Sequence, residues 1–310
     1  MDRRNTVGID IGGSRIRAAV VSPEGRLLSR AEGVTPARAS GDVVVDAVAQ
    51  VVAQATRDHG LDSLLAAGVG APGPLDAVLG MALSTPTIDG FRDFPLRDRI
   101  AGAIGLRTLL DHDGHAAAFG EWQFGAGRGY QNMVYVTVST GIGGGAIVDG
   151  RLQRGRRGMA VHVGHMTIAP DGPACNCGNS GCWEAVAAGP ALAAAARLAG
   201  FADGQAVFAA ARLGDPGAMG VVATEARWLG IGIVGLLHVY SPDIVVLGGG
   251  VMNGLDVLHP AMTAEITARA MPPFRGTPIV RASLLDNAGL IGSAALARQG
   301  FLRERNTTQP

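Results

Sequence analysis

The stretch TVGIDIGGSRIRAAVVSPEGRLLSR near the start of the chain returns in outline as MVYVTVSTGIGGGAIVDGRLQRG from Met133. In the first copy Val7, Ile9 and Ile11 alternate as a strand requires, Gly12 and Gly13 turn the chain, and residues 16–21 read as the returning strand. Pro23, Glu24 and Gly25 then turn it into a third strand. In the second copy an alternating strand meets a glycine-rich turn at 140–145, a short strand follows, and DGRL stands where EGRL stands in the first. Two such units so far apart predict two related domains, each opening with a β-meander. Helical spacing follows each meander, over 43–60 with a stop at Gly60, and over 185–198 and 221–240. Strand candidates at 65–70 and 244–247 lie between, and strands alternating with helices define an α/β fold.

The glycine turns have two readings. Hairpins favour glycine for its backbone freedom. Bare amides at such turns also receive anions. Two matching turns, with the further glycines of VVLGGGV at 245–251, point to phosphate contacts at Gly12, Gly13, Gly141, Gly249 and Gly250, with hydroxyls offered by Ser14 and Thr140. A single-site dinucleotide fingerprint fits less well, because GIDIGGS lacks its full spacing.

Composition removes several function classes. The formal net charge is zero, which argues against a broad electrostatic footprint for nucleic acid. Every basic residue is Arg, so no lysine serves as phosphate clamp or Schiff base. The N-terminal MDRRNTVGID has no apolar signal core, and no apolar run approaches the ~20 residues that span a bilayer, so a cytoplasmic location without a membrane is expected. All three cysteines crowd into CNCGNSGCWE, at 175–184. An odd number of them in a reducing compartment argues against disulfides.

Taken together these motifs resemble the ROK family of sugar kinases and related repressors, over almost the whole chain. DIGGSRI is similar to the family's first phosphate loop, GAPGPLD at 70–76 to its PGP-D segment, and HDGHAAAFGE at 112–121 to NDAN-AAA-GE. STGIGGG resembles GTGIGGG, VGHMTI with CNCGNSGCWE resembles the zinc signature, and PDIVVLGGGV and DNAGLIGSA resemble the adenosine-side and C-terminal segments. The resemblance implies an actin-like ATPase (ribonuclease H-like) duplication, with a nucleotide and sugar cleft between two domains. The expected boundaries are a small domain at 1–112, a large one with the zinc loop at 113–286, and a C-terminal helix at 287–310 packing back on the first.

Cys175, Cys177, Cys182 and His165 supply three thiolates and one imidazole, a closed tetrahedral set for a structural Zn²⁺ that would stiffen a glycine-rich loop. The other nitrogen of His165 then faces a sugar hydroxyl, and Glu184 accepts from sugar hydroxyls. On spacing alone Asp113 is equally an N-cap of the Ala-rich helix that follows. The resemblance makes it the catalytic base, with Asp111 the weaker candidate and Asp10 holding Mg²⁺ through water. His115 reads as a helix-start residue with no ligand.

The chain departs from the family at sugar-contact positions. His112 stands for Asn, His162 for Glu and Thr87 for Asn, while Asp113, His165 and Glu184 are kept. His162 can donate as well as accept, so the change alters which hydroxyl pattern is read. Ser139 and Arg15 are milder departures. The implied activity is ATP-dependent phosphorylation of a hexose, at O6, on glucose or a modified or amino hexose such as kanosamine. The alternative is a sugar-binding sensor without turnover. The family's repressors carry a winged helix before the DIGG loop, for which Asp10 leaves no room, so DNA binding is not expected. A homodimer is the family's usual state.

Overall fold

The computed structural model describes residues 2–307. The chain forms two compact units. The first runs through Arg128, takes in Leu152–Val161 and resumes at Asp286; the second comprises Gly129–Arg151 and His162–Leu285.

The first unit is built on a sheet of β1 (Asn5–Ile11), β2 (Arg15–Val21), β3 (Leu27–Val34), β4 (Leu64–Ala71) and, after the small antiparallel set β5 (Leu75–Asp76), β6 (Met81–Ser84) and β7 (Arg92–Phe94), β8 (Thr108–His112). The order is β3-β2-β1-β4-β8. The meander is antiparallel, whereas β4 and β8 run parallel to β1. Period-2 alternation sorts the side chains between two faces. Val7, Ile9 and Ile11 of β1 join one buried cluster with Val44 and Val48 of α1 (Gly41–Thr56) and Leu96 and Ile100 of α2 (Leu96–Ile104). Gly8 and Gly68 point the other way. A Cβ there would lie 2.0 and 1.8 Å from the carbonyls of Leu290 and Ser293, so their hydrogens let the C-terminal helix (Ala288–Thr307) lie directly on the sheet. The same helix packs against α3 (Asp113–Phe124). Thus α3 belongs with the first unit, and the boundary expected at 112/113 falls inside it. The last three positions expected in the C-terminal helix, 308–310, lie outside the described residues.

The second unit repeats the plan. Its sheet has the order β11-β10-β9-β12-β13, with β9 (Met133–Val138), β10 (Ile142–Val148), β11 (Arg151–Leu152), β12 (Ile244–Gly248) and β13 (Ile279–Arg281). Again the meander is antiparallel and the two added strands are parallel to β9. The expected turn at 140–145 is shorter in fact. Gly143, Gly144 and Gly145 lie inside β10, paired with Thr137, Val136 and Tyr135. A Cβ on Gly144 would stand 2.6 Å from the Tyr135 carbonyl, which is why glycine sits in mid-strand. The helix expected at 185–198 is two helices, α4 (Trp183–Ala187) and α5 (Gly189–Leu198). Ala188 is extended, with ψ 165°, between the two, and Pro190 suits the first turn of the new helix.

After α6 (Gly204–Arg212) comes α7 (Pro216–Tyr240), capped by Asp215 accepting from the Ala218 amide at 2.8 Å. This helix is long and apolar enough to cross a bilayer by length and composition, although Glu225 and Arg227 interrupt its apolar run. It is 61% buried over its most apolar window and packs on α4, α6 and α8 (Leu255–Arg269), the behaviour of a core helix. The Trp183 ring lies flat on Gly232 of α7.

Candidate active site

In both units the singled-out residues gather where the parallel strands end, the usual place for ligands in α/β sheets. In the first unit, β1 delivers Asp10 and then turns. The Gly12 amide donates to the Arg15 carbonyl at 2.9 Å, and Thr35 Oγ1 donates to the Gly12 carbonyl at 2.7 Å. Ser14 is exposed at the tip. Thr87, on the loop between β6 and β7, closes over this turn: a Cβ on Gly13 would sit 3.1 Å from Thr87 Cβ. Asp10 is not a bare carboxylate. Arg17 donates to it through Nε at 2.9 Å and through Nη2, and reaches on through Nη1 to the Asp286 carbonyl at 2.7 Å. Burial raises the Asp10 pKa above the ordinary carboxylate range, with Asp113 adding to the rise and Arg17 opposing it. Asp10 and Asp113 therefore feel each other's charge.

At the end of β8, the N-cap of α3 is His112, whose Nδ1 accepts from the Gly114 amide at 3.2 Å. The same Nδ1 lies 3.2 Å from Asp113 Oδ1. Asp113 is thus the first helical residue and not the cap. Its Oδ1 accepts from the Gly114 amide at 2.6 Å, and its side chain remains 41% exposed while that of His112 is 10% exposed. Of the polar groups at this strand end, Asp113 is the one turned outward.

In the second unit the turn after β9 carries no acid of its own. The Ser139 amide donates to the Gly141 carbonyl at 2.8 Å, and the Ile142 amide donates to Glu184 Oε2 at 2.9 Å. Glu184, read from the sequence as an acceptor for sugar hydroxyls, here anchors the glycine turn. Thr140 is exposed. At the end of β12, Gly249 has φ +87°, and a Cβ would lie 2.3 Å from the Val138 carbonyl; Gly250 has nothing within 4 Å. One glycine is demanded by backbone geometry and the next leaves open space.

His165, Cys175, Cys177 and Cys182 come together, with all four donor atoms within 4.8 Å of one another. Cys177 Sγ lies 3.6 Å from Cys182 Sγ, and Cys175 Sγ lies 3.8 Å from His165 Nδ1. Donors bound at about 2.0–2.3 Å to one tetrahedral ion stand roughly 3.5–3.8 Å apart, so the set fits a closed site. Without a cation the sulfurs compete for protons: burial and the two neighbouring thiols push Cys182 up to about 12, while the Asn179 backbone amide draws Cys177 down. A divalent cation relieves that conflict by replacing the protons. His162 stands beside this cluster, its ring 6.3 Å from that of His165.

Two groups escaped the sequence reading. Arg17 is two strand positions past its turn, and only pairing of β1 with β2 sets it opposite Asp10. Asp111, His115 and Arg154 form a buried network. Asp111 lies at the end of a strand and His115 in the first turn of the helix that follows, so their contact, like that of Arg154, comes only with the fold.

The ROK family model matches residues 6–300, and the chain belongs to the ROK family. It is 34% identical to the glucokinase of Streptomyces coelicolor, over 95% of this chain and 98% of that one. It is also 34% identical to an N-acetylmannosamine kinase of Escherichia coli, over 94% and 98%. Among solved structures it superposes on a ROK family glucokinase from Streptomyces griseus, in complex with glucose and AMPPNP, with a TM-score of 0.85, 36% identity and coverage of 96% and 100%. The fold is the actin-like ATPase fold of these sugar kinases, in which the meander and its two parallel strands are duplicated.

Proposed function

We propose that this chain is an ATP-dependent sugar kinase that transfers the γ-phosphoryl group to a hexose hydroxyl, O6 of glucose or of a modified or amino hexose. The observation that carries the reading is the outward Asp113 carboxylate at the end of β8, beside Asp10 and the Gly12–Gly13 turn, in a chain similar to glucokinases. Asp113 takes the proton of the attacking hydroxyl as the oxygen–phosphorus bond forms and the bond to the leaving ADP breaks. Its Oδ1 is held by the Gly114 amide, so its orientation is fixed before substrate arrives. Amides at Gly12, Gly13, Gly141, Gly249 and Gly250, with the hydroxyls of Ser14 and Thr140, receive the phosphate oxygens. Mg²⁺ accompanying ATP would neutralise phosphate charge, with Asp10 as its water-mediated holder. Structural Zn²⁺ on His165, Cys175, Cys177 and Cys182 would stiffen the loop that carries Glu184.

Thr87, His112, His162, His165 and Glu184 recognise the sugar in this reading. His162, with donor capacity where the family has an acceptor, is the residue expected to set the choice of hexose. Asp113→Asn, assayed by ADP release over a panel of hexoses and amino hexoses, tests the proposal. Turnover on one sugar, abolished in the variant while ATP still binds, is the expected outcome. Absence of turnover on every sugar, in zinc-loaded protein that binds ATP, would replace it with a sugar sensor. The resemblance also implies a homodimer, which light scattering at assay concentration checks.

A further inference from the structure

The buried network behind Asp113 carries a role of its own. His115 is 0% exposed, and both of its ring nitrogens face oxygen. Nδ1 lies 2.9 Å from Asp111 Oδ1, and Nε2 lies 3.0 Å from the Ala160 carbonyl. A carbonyl oxygen only accepts, and so does an ionised carboxylate. Asp111 is ionised by its surroundings: it also receives the His112 amide at 2.9 Å and Arg154 Nε at 2.8 Å. Burial works to raise its pKa, but His115 and Arg154 outweigh it and hold Asp111 below the usual carboxylate range. The ring thus spans two oxygens on different segments of the chain, and removing it leaves both of them buried without this partner. The remaining charged or titratable neighbours are Arg154, whose guanidinium shares Asp111, and His112, whose ring stands edge-on 5.5 Å from that of His115.

What His115 holds is the segment Leu152–Val161. This strap is strained: Arg157 and Val161 have φ of +60° and +64°, left-handed values that a side-chain-bearing residue keeps only where its surroundings hold it there. It closes on itself through the Ala160 amide and the Arg154 carbonyl, 3.0 Å apart, and its Arg157 carbonyl receives the Ala77 amide at 2.8 Å. Arg157 Nε also lies 3.4 Å from the buried Asp76 carboxylate. Three side chains, Asp76, Asp111 and His115, thus tie down a strap whose next residue is His162.

We propose that His115 is a positioning residue whose ring joins the Asp111 carboxylate to the Ala160 carbonyl and so fixes the strained strap leading into His162. Only its consequence for sugar affinity rests on the kinase reading above; the hold on the strap does not.

The test uses the full-length zinc-loaded protein. The strap carries Arg154, Arg156 and Arg157, so trypsin reports its release directly. His115→Asn, the family's own residue there, is expected to speed cleavage at these arginines and to raise the sugar KM about tenfold with kcat nearly unchanged. Cleavage at the wild-type rate in a folded variant overturns the proposal. If the wild type turns over no sugar, the cleavage rate still decides it, and the kinase reading alone fails.

Discussion

The two glycine turns sit at the same point of the same sheet plan, after the first strand of each meander, yet they are finished differently. The first has charge at its base: Asp10 closes β1, Arg17 opposes it from β2, and Asp113 stands at the end of β8. The second has amides and hydroxyls at its tip, Glu184 tying it from behind, and Gly249 and Gly250 where the neighbouring parallel strand ends. Duplication supplied the geometry, and the side chains at the strand ends differ. One unit presents the half-buried Asp113 carboxylate, the other glycine backbone with open space at Gly250.

The division can be broken at either end. Asp113→Asn is expected to have the largest effect, a loss of about a thousandfold in turnover with ATP affinity intact, measured by ADP release and nucleotide titration. Equal loss of both would mean that the charged end is not specialised for chemistry. Removal of metal by chelation, or Cys182→Ser, comes next. Unfolding of the second unit should move down by about 10 °C or more, with one zinc released per chain, while the first unit melts as before; metal analysis and calorimetry check both.

Gly249→Ala and Gly250→Ala sharpen the contrast within the bare end. The first forces a Cβ against the Val138 carbonyl at positive φ, and should cost about 1–3 kcal/mol of stability together with ATP affinity. The second meets nothing within 4 Å and should leave the melting temperature unchanged. Equal destabilisation by both would refute the reading of Gly249.

The smallest effect concerns a second pair. Asp10 and Glu225 are both buried acids, but Asp10 has Arg17, whereas Glu225 Oε1 in α7 has no hydrogen-bond partner among the described residues. Burial lifts the Glu225 pKa well above the usual carboxylate range. The folded protein therefore keeps a proton that the unfolded chain loses above about pH 4.3. Stability from this group is present below that pH and falls as pH rises towards the folded value. Glu225→Gln should raise the melting temperature by about 2–4 °C at pH 7 and by nothing near pH 4. An equal shift at both pH values would point to packing and not to ionisation.

Much of this molecule was legible in its sequence because the signals are local. Alternation at Val7, Ile9 and Ile11 fixes which face of β1 is core, and hence that Asp10 emerges on the other. The repeat of EGRL as DGRL marks the duplication. Three cysteines within eight positions, with His165 ten residues before them, announce a metal-binding set before any coordinate is known. Where local signals misled, a packing demand had intervened. Gly143 to Gly145 look like a turn, yet they are strand residues because Tyr135 and Val163 leave no room for Cβ at Gly144. Asp113 looks like a cap, yet His112 took that role.

What the sequence determined by itself was the repeat, the strand and helix periodicities and the residues clustered in short motifs, since these depend on neighbours within a turn or two of chain. What only the tertiary structure decided was partnership across the fold: Arg17 with Asp10, Glu184 with the glycine turn, and Ala160 and Arg154 with the His115–Asp111 pair. Those partners lie 7 to 45 residues apart in sequence. Hydrogen bonding is directional and short-ranged, so which donor meets which acceptor is set when sheets and helices pack, and no periodicity in the chain records it.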